Sequence, residues 1–180
     1  LKLDHGLGKV LRTGLFRSGK ISIQDPASAA IVDCMDAKPG ETILDVCAAP
    51  GTKALYLSNI VGETGTILAS DLTPNRVKSG KEDMKRHGQK NIQWSVKDAK
   101  KDTYPLADRI LIDAPCTGTG VLGRRPDIRW ICKPKHINQA SDKQIGILNN
   151  CSKFLKPNGT LVYATCSIEP EENWNVVDRF

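Results

Sequence analysis

Short apolar segments that alternate with helical stretches constrain the fold of this sequence more than any other feature. Five of these segments have the length of strands, and they cover Thr42–Val46, Thr66–Asp71, Asn91–Val96, Arg109–Asp113 and Thr160–Thr165. Near-continuous apolar strands of this kind are usually buried in a parallel sheet, because the connecting helices cover both of its faces. The sequence therefore predicts an α/β domain with a doubly wound, mostly parallel sheet.

Helix signals fill the segments between the strands. Lys53–Val61 has helical character, and Thr73 followed by Pro74 predicts a capped helix that ends before Gly88. Two more helices are predicted nearer the end of the chain. The first covers His136–Leu155 and is stopped by Lys-Pro-Asn-Gly at 156–159, and the second, which is interrupted, covers Glu171–Phe180.

The first part of the chain has a different character. Residues 1–20 are rich in glycine and predict a loop or the remnant of a linker. Ile21–Ser28 predicts an extended segment, compatible with an added strand, that enters a helix through Asp25 and Pro26. We therefore expect one domain over residues 21–180. Because the chain lacks an initiator Met and ends within a predicted helix, we expect it to be part of a longer protein, truncated at its C-terminal side.

Polar residues stand at or just after the ends of the predicted strands. Because the carboxyl ends of parallel strands meet at one edge of the sheet, where ligands bind in such folds, we expect five polar side chains to converge there: Asp45, Asp71, Asp98, Asp113 and Cys166.

The segment Asp45-Val-Cys-Ala-Ala-Pro-Gly-Thr-Lys53 joins the first strand to its helix. Its small residues allow a ligand close to the backbone, and the helix start offers free amides. The segment matches neither the dinucleotide-binding glycine pattern nor the Walker A loop. This mismatch disfavours NAD and ATP as ligands. A ligand with a carboxylate, such as S-adenosylmethionine, suits these amides and Lys53. The alternative is a tight turn without a ligand.

Two of the strand-end acids are candidates for contacts to such a ligand. Asp71 could accept hydrogen bonds from both ribose hydroxyls, or it could serve the N-terminus of the following helix. Asp98 could reach an adenine amino group, or it could be a solvated acid among Lys97, Lys100 and Lys101.

Two loops carry a cysteine after the fourth and fifth strands. Asp113-Ala-Pro-Cys-Thr-Gly-Thr-Gly120 places an acid and a thiol on a glycine-rich loop, where Cys116 could act as nucleophile or base. Cys166, in Ala164-Thr-Cys-Ser-Ile-Glu-Pro-Glu-Glu-Asn173, is placed like a nucleophile. A single cysteine at a strand end is more often a packing residue, but two thiol loops on neighbouring strands favour chemistry.

Taken together, these motifs resemble those of the Sun-type, also called Fmu-type, RNA cytosine-carbon-5 methyltransferases. The resemblance extends from about Ile21 to Phe180. Five motifs carry it, in the family's order and spacing: Ser-Ile-Gln-Asp-Pro-Ala-Ser, Cys-Ala-Ala-Pro-Gly, Asp-Ala-Pro-Cys, Ala-Thr-Cys-Ser and Pro-Glu-Glu-Asn. Arg124-Arg-Pro-Asp-Ile-Arg-Trp130 looks most like the bacterial branch that modifies small-subunit ribosomal RNA.

The resemblance implies a Rossmann-like class I methyltransferase catalytic domain over residues 21–180 that uses S-adenosylmethionine. Cys166 would be the covalent nucleophile, and Cys116 would assist product release. Asp113 would contact the cytosine or the cofactor. The other cofactor-binding residues implied are Cys47, Ala48, Ala49, Pro50, Gly51, Thr52, Lys53, Asp71 and Asp98. The chain departs from the family at Thr52, where the family usually has Gly, and at Lys97, where Gly is common.

Other enzymes and proteins share parts of this pattern. A tRNA cytosine-5 methyltransferase would need the same residues. A DNA cytosine methyltransferase would use Cys116 as nucleophile and would have no need of Cys166. A non-catalytic protein on the same fold would be expected to lack one of the thiols or Lys53. Cys116, Cys166 and Lys53 are all present.

Composition sets limits on partners and compartment. The net charge of +6 favours a polyanionic partner such as RNA. The six cysteines include no Cys-x-x-Cys pair, so we expect neither a metal site nor a disulfide framework, and we expect a monomer in the reducing cytoplasm. No apolar run approaches the length of a membrane span.

One segment is a candidate for RNA contact. Arg124, Arg125, Arg129 and Trp130 could engage phosphates and a base face. The alternative is an Asp127 paired with a neighbouring arginine and a Trp130 buried in the core.

Overall fold

The structure is a computed structural model that describes residues 6–180. Its sheet consists of β1 (Thr42–Val46), β2 (Thr66–Asp71), β3 (Ile92–Val96), β4 (Ala107–Asp113) and β5 (Leu155–Ala164). The strand order is β3-β2-β1-β4-β5, and every neighbouring pair is parallel. The predicted doubly wound parallel sheet is therefore confirmed. The chain runs outward from β1 to β3 and then returns to the other side of β1, so the switch point lies between β1 and β4.

Helices cover both faces of this sheet. In chain order they are α1 (Leu7–Val10), α2 (Gly14–Arg17), α3 (Pro26–Asp33), α4 (Thr52–Val61), α5 (Pro74–His87), α6 (Ile128–Ile131), α7 (Pro134–Cys151) and α8 (Trp174–Arg179). Three short 3-10 turns accompany them at Thr119–Val121, Ser152–Phe154 and Pro170–Glu172. None of the helices within residues 6–180 is both long enough and apolar enough to cross a membrane.

The alternation of side chains along the strands divides the core into two layers. On β1, Ile43 packs with the layer that contains α3 and α4, whereas Leu44 packs with the layer that contains α7. Helix α7 buries Gln144, Ile147, Leu148 and Cys151 at the three- and four-residue spacing of a single helical face. Each fully buried aliphatic side chain of this kind contributes about 1.5–3 kcal/mol to folding.

The fifth strand begins earlier than the sequence predicts. Lys-Pro-Asn-Gly at 156–159 predicts a helix stop, and α7 does end at Cys151, before the 3-10 turn. However, Leu155 already pairs with Ala107, and a register irregularity follows before Thr160 pairs with Arg109. Asn158 has a positive φ of 64°. The Pro-Asn-Gly segment is therefore an irregular part of the strand itself.

The loop predicted at the N-terminus is partly helical. Residues 1–5 lie outside the described part of the chain, but α1 and α2 occupy residues that the sequence assigns to a loop. Thr13 caps α2 by accepting a hydrogen bond from the Phe16 amide at 3.3 Å. The segment also packs on α5, where the Arg86 guanidinium lies 4.2 Å from the Phe16 ring centre. Local glycine content does not predict the second contact, because it depends on α5.

The start of the next helix agrees better with the sequence. Asp25 is the N-cap of α3 and accepts from the Ala27 amide at 2.8 Å, with Pro26 in the first helical position. The residues from Ile21 to Asp25 form no strand, so the added strand that their alternation would allow is not formed.

Candidate active site

The loop after β1 is tightly packed and built from small residues. Ala48 and Ala49 are buried, and the Ala48 amide donates to the Ser70 carbonyl at 2.8 Å. Gly51 is the N-cap of α4 and has a φ of 111°. A Cβ at that position would lie 2.9 Å from the Trp94 ring, so glycine is required both for the backbone conformation and for the close approach.

Lys53 and Asp113 join the first loop to the end of β4. The Lys53 Nζ lies 2.5 Å from the Asp113 Oδ2, and the exposed fractions of the two side chains are 13% and 32%. The sequence predicts each residue as a ligand contact, and the structure brings the two together as an ion pair. A ligand that binds either residue would share or replace this contact.

Asp45, one of the five polar side chains expected at the ligand-binding edge of the sheet, is a buried acid. Its side chain is 1% exposed, and neither carboxyl oxygen has a hydrogen-bond partner within the described residues. Burial raises the pKa of Asp45 to about 8, with a further contribution from the Asp113 charge that the Lys53 charge opposes.

Asp71, the last residue of β2, serves the start of α5. Its Oδ1 accepts from the Thr73 amide at 3.0 Å, and its Oδ2 lies 3.0 Å from the Arg76 Nη1. Thr73 is the N-cap of α5 and Pro74 its first residue, as predicted, but the Thr73 hydroxyl makes no capping hydrogen bond and the Asp71 carboxylate accepts one instead. Arg76 also donates to the Ala49 carbonyl, so this arginine, which the sequence analysis missed, links Asp71 to the first loop.

Asp98 follows β3 and is occupied by local contacts. Its Oδ1 accepts from the Lys100 amide at 3.0 Å, and its Oδ2 lies 3.6 Å from the Lys101 Nζ. These contacts agree with the alternative of an acid among lysines. A contact from Asp98 to an adenine group stays a prediction.

Cys116 and Cys166 meet at the ends of β4 and β5. Their Sγ atoms are 3.0 Å apart, with Cys116 half-buried and Cys166 exposed. The hydrogen bond between them lowers the pKa of Cys116 to about 6. The same hydrogen bond, together with burial, raises the pKa of Cys166. At neutral pH the pair therefore shares one proton between its two sulfur atoms.

The thiols elsewhere in the fold have a different environment. Burial raises the pKa of Cys47 and of Cys151 to about 12. Both are held as neutral thiols, so Cys47 contributes to the first loop by its size and backbone and not as a nucleophile.

A cleft of about 280 Å³ lies beside Cys116. It is lined by Pro115, Cys116 and Thr117 and by residues of α7, namely His136, Gln139, Ala140 and Lys143. A larger open groove of about 660 Å³ lies along α5 and β3, but its lining contains none of the strand-end acids or thiols. The smaller cleft reaches Cys116, whereas Cys166 and the strand-end acids lie outside its lining. Within residues 6–180, no three His, Cys, Asp or Glu side chains are grouped so that they could hold a metal ion.

The candidate RNA segment lies close to the thiols. Ile128 of α6 contacts the Gly118 position, which is also next to the Cys166 Sγ. Arg125 pairs with Asp127 at 3.0 Å, and Arg124 pairs with Asp25 at 2.5 Å. The expected alternative of a core position for Trp130 is wrong, because this side chain is 82% exposed.

Comparisons with known proteins agree with the geometry. The model of the family described as 16S rRNA methyltransferase RsmB/F matches residues 32–180. The chain is 37% identical over 177 residues to the probable ribosomal RNA small subunit methyltransferase B of Bacillus subtilis (strain 168), covering 96% of this chain and 40% of that protein. It is 40% identical over 171 residues to ribosomal RNA small subunit methyltransferase B of Photorhabdus laumondii, covering 92% and 39% of the two chains.

Solved structures show the same relationship. The structure of NSun6 from Pyrococcus horikoshii with SFG has a TM-score of 0.87 and 33% identity, and the match covers 94% of this chain and 44% of that one. A protein-L-isoaspartate O-methyltransferase, 15% identical with a TM-score of 0.57, shares the fold alone. The chain spans about 40% of the length of the curated relatives described above. The family that the motifs resemble is thus confirmed, and the chain belongs to the RsmB/F family of 16S rRNA methyltransferases.

Proposed function

We propose that this protein transfers a methyl group from S-adenosylmethionine to carbon 5 of a cytosine in RNA, with Cys166 as the covalent nucleophile. The observation that carries the proposal is the Cys116–Cys166 pair, with its two Sγ atoms 3.0 Å apart at the strand-end edge of the sheet. The names of the relatives support small-subunit ribosomal RNA as the substrate.

The first loop and its surroundings fit the methyl donor. The unpartnered oxygens of Asp45 are buried just before a loop in which Gly51 leaves no room for a Cβ, and α4 begins at the end of that loop. The residues that would hold the donor are Cys47, Ala48, Ala49, Pro50, Gly51, Thr52, Lys53, Asp71 and Asp98. S-Adenosylmethionine supplies, when bound, an electrophilic methyl group.

The thiol pair is arranged for addition to a pyrimidine ring. Carbon 5 of cytosine is a poor nucleophile until a thiolate adds to carbon 6, which turns the ring into an enamine. As the Cys166 Sγ–carbon 6 bond forms, the proton of Cys166 passes along the 3.0 Å hydrogen bond to the Cys116 thiolate. After methylation the Cys116 thiol loses its proton to solvent. Its thiolate then accepts the carbon-5 proton as the bond between carbon 6 and Cys166 breaks and Cys166 leaves as a thiolate, so Cys116 assists release.

Asp113 has a position that suits recognition of the base. It closes β4 three residues before Cys116, and its carboxylate is partly exposed beside Lys53. We propose that it binds ring nitrogen 3 and the exocyclic amine of the cytosine. A base that reaches this site must be unstacked, which favours a looped or single-stranded RNA.

The surroundings of the thiols favour RNA as the partner. Trp130 offers an exposed ring for base stacking, and the chain carries a net charge of +6. We further propose that the protein acts as a monomer in the cytoplasm, where its thiols stay reduced.

A DNA cytosine methyltransferase that uses Cys116 is the second candidate, and the lowered pKa of Cys116 is the observation in its favour. That enzyme would leave the adjacent thiol of Cys166 without a role, so the pair favours the RNA enzyme.

The function is tested by incubating the purified protein and S-adenosylmethionine with ribosomal RNA, tRNA and DNA from cells that lack this protein. We expect new 5-methylcytosine in small-subunit ribosomal RNA, read by bisulfite sequencing. Methylation of tRNA alone would replace the proposed substrate class, and methylation of DNA or of none of the three would overturn the proposal.

A further inference from the structure

Glu172 is a buried carboxylate between the two cysteine loops. It lies at the end of the 3-10 turn Pro170–Glu172 and is fully inaccessible to solvent. Within residues 6–180, four neutral donors reach its two oxygens. They are the Thr117 amide at 3.0 Å, the Thr117 hydroxyl, the Gln144 Nε2 at 3.0 Å and the Ser167 hydroxyl at 2.8 Å.

These donors come from three separate parts of the fold. Thr117 follows Cys116 directly, and Ser167 follows Cys166 directly. Gln144 comes from α7, is itself fully buried, and also donates to the Pro115 carbonyl at 3.1 Å. A single carboxylate therefore fixes the residue after each thiol and anchors both loops to the same helix.

We propose that Glu172 is the positioning residue that holds the Cys116 and Cys166 thiols in contact. Its importance for methylation rests on the proposed function, but its effect on the thiol pair does not. It touches neither thiol, so it acts through the backbone of the two loops.

The chemistry of the side chain supports this role over simple packing. A buried carboxylate has a large desolvation penalty, and an apolar side chain of similar volume would fill the same space more favourably. Only a carboxylate offers two oxygens that accept hydrogen bonds from all four donors. A glutamine would turn an amide group toward at least one of these donors and leave it without an acceptor.

The test compares Glu172→Gln with Glu171→Gln, a matched change at the exposed neighbouring residue. The pH dependence of alkylation of Cys116 is followed by peptide mass spectrometry in the purified protein, without RNA or S-adenosylmethionine. In the parent protein and in Glu171→Gln, the midpoint should lie near the Cys116 pKa of about 6. In Glu172→Gln it should rise toward about 8.5, the value of an isolated thiol, because the thiols separate.

A second experiment tests whether the Sγ atoms of Cys116 and Cys166 remain in contact. The rate at which a mild disulfide oxidant joins Cys116 to Cys166 should fall about tenfold or more in Glu172→Gln, since closure requires the two sulfur atoms to be in contact. Ser167→Ala, which removes one donor, should have a smaller effect in the same direction and guards against failure of Glu172→Gln to fold.

The proposal is overturned if folded Glu172→Gln, or Ser167→Ala where the former does not fold, keeps the parent midpoint and rate of disulfide closure. It is also overturned if Glu171→Gln shifts both quantities as much as Glu172→Gln does. If the thiol readouts behave as expected but the parent protein methylates no RNA, the proposed function fails and the positioning role of Glu172 stands.

Discussion

The loop after β1 and the thiol pair are the two parts of the proposed site, and they are constructed differently. The loop is shaped by backbone conformation and small residues, with Gly51 fitted against Trp94. The thiols are held by side-chain hydrogen bonds between loops 50 residues apart, such as that between Cys116 and Cys166. The difference implies that the loop can be disrupted by adding atoms, whereas the thiol pair is disrupted by removing a hydrogen-bonding group.

Gly51→Ala should have the largest effect, and this effect should be confined to the loop after β1. The new Cβ would stand 2.9 Å from the Trp94 ring at a φ of 111°, which destabilises the loop by about 1–3 kcal/mol. We expect S-adenosylmethionine affinity, measured by calorimetry, to fall about tenfold or more. Alkylation of Cys116 should keep its midpoint near pH 6.

Gly62→Ala is the matched control, because this glycine also has a positive φ but lies at the far end of α4 with open space around it. An equal loss of affinity in Gly62→Ala would show that general destabilisation, and not the fit of the first loop, causes the effect.

Trp130→Ala should affect RNA binding near the thiol pair and leave the loop after β1 unchanged. Loss of a stacking platform weakens RNA binding by about 1–3 kcal/mol, or roughly 5- to 150-fold in Kd. Affinity for S-adenosylmethionine should not change, because Trp130 lies on α6, outside the first loop. Filter binding at fixed salt measures the first quantity and calorimetry the second. Unchanged RNA binding would remove Trp130 from the interface.

Asp45→Asn should alter the pH dependence of stability. The raised pKa of Asp45, about 8 compared with 3.8 for an exposed acid, means that the folded protein retains a proton that the unfolded chain releases. This contribution is fully present below pH 4 and is lost as the pH rises through about 8. Parent and variant unfolding free energies should therefore diverge in favour of Asp45→Asn between pH 4 and pH 8, as measured by urea denaturation. A constant difference would contradict the raised pKa.

The two parts also differ in how far the sequence predicts them. The strand-to-helix turn is a local feature, so the motif from Asp45 to Lys53 indicates its place, although the Trp94 ring against which Gly51 fits is distant in the chain. The strands were predicted for the same reason, as contiguous apolar runs. Partners distant in the chain were not predicted, since no local pattern pairs Arg76 with the Ala49 carbonyl or Glu172 with Thr117.

The irregular start of β5 and the helices α1 and α2 were missed for the same reason. Pro-Asn-Gly normally indicates a turn, and only pairing with β4 makes Leu155 part of a strand. Glycine-rich residues near the N-terminus normally indicate a loop, and the contact between Phe16 and Arg86 of α5 depends on a fold that local sequence does not encode.

Covalent trapping tests most directly whether Cys166 is the nucleophile and Cys116 assists release. Cys116→Ala removes the hydrogen bond that is the main cause of the raised pKa of Cys166, so Cys166 should add to the base readily. Release should fail, and a protein–RNA adduct should accumulate as a slow band on a denaturing gel, with peptide mapping placing the RNA on Cys166. Cys166→Ala should give neither methylation nor an adduct. Methylation by Cys166→Ala, or an adduct attached to Cys116 in that variant, would contradict the assignment of Cys166 as the nucleophile.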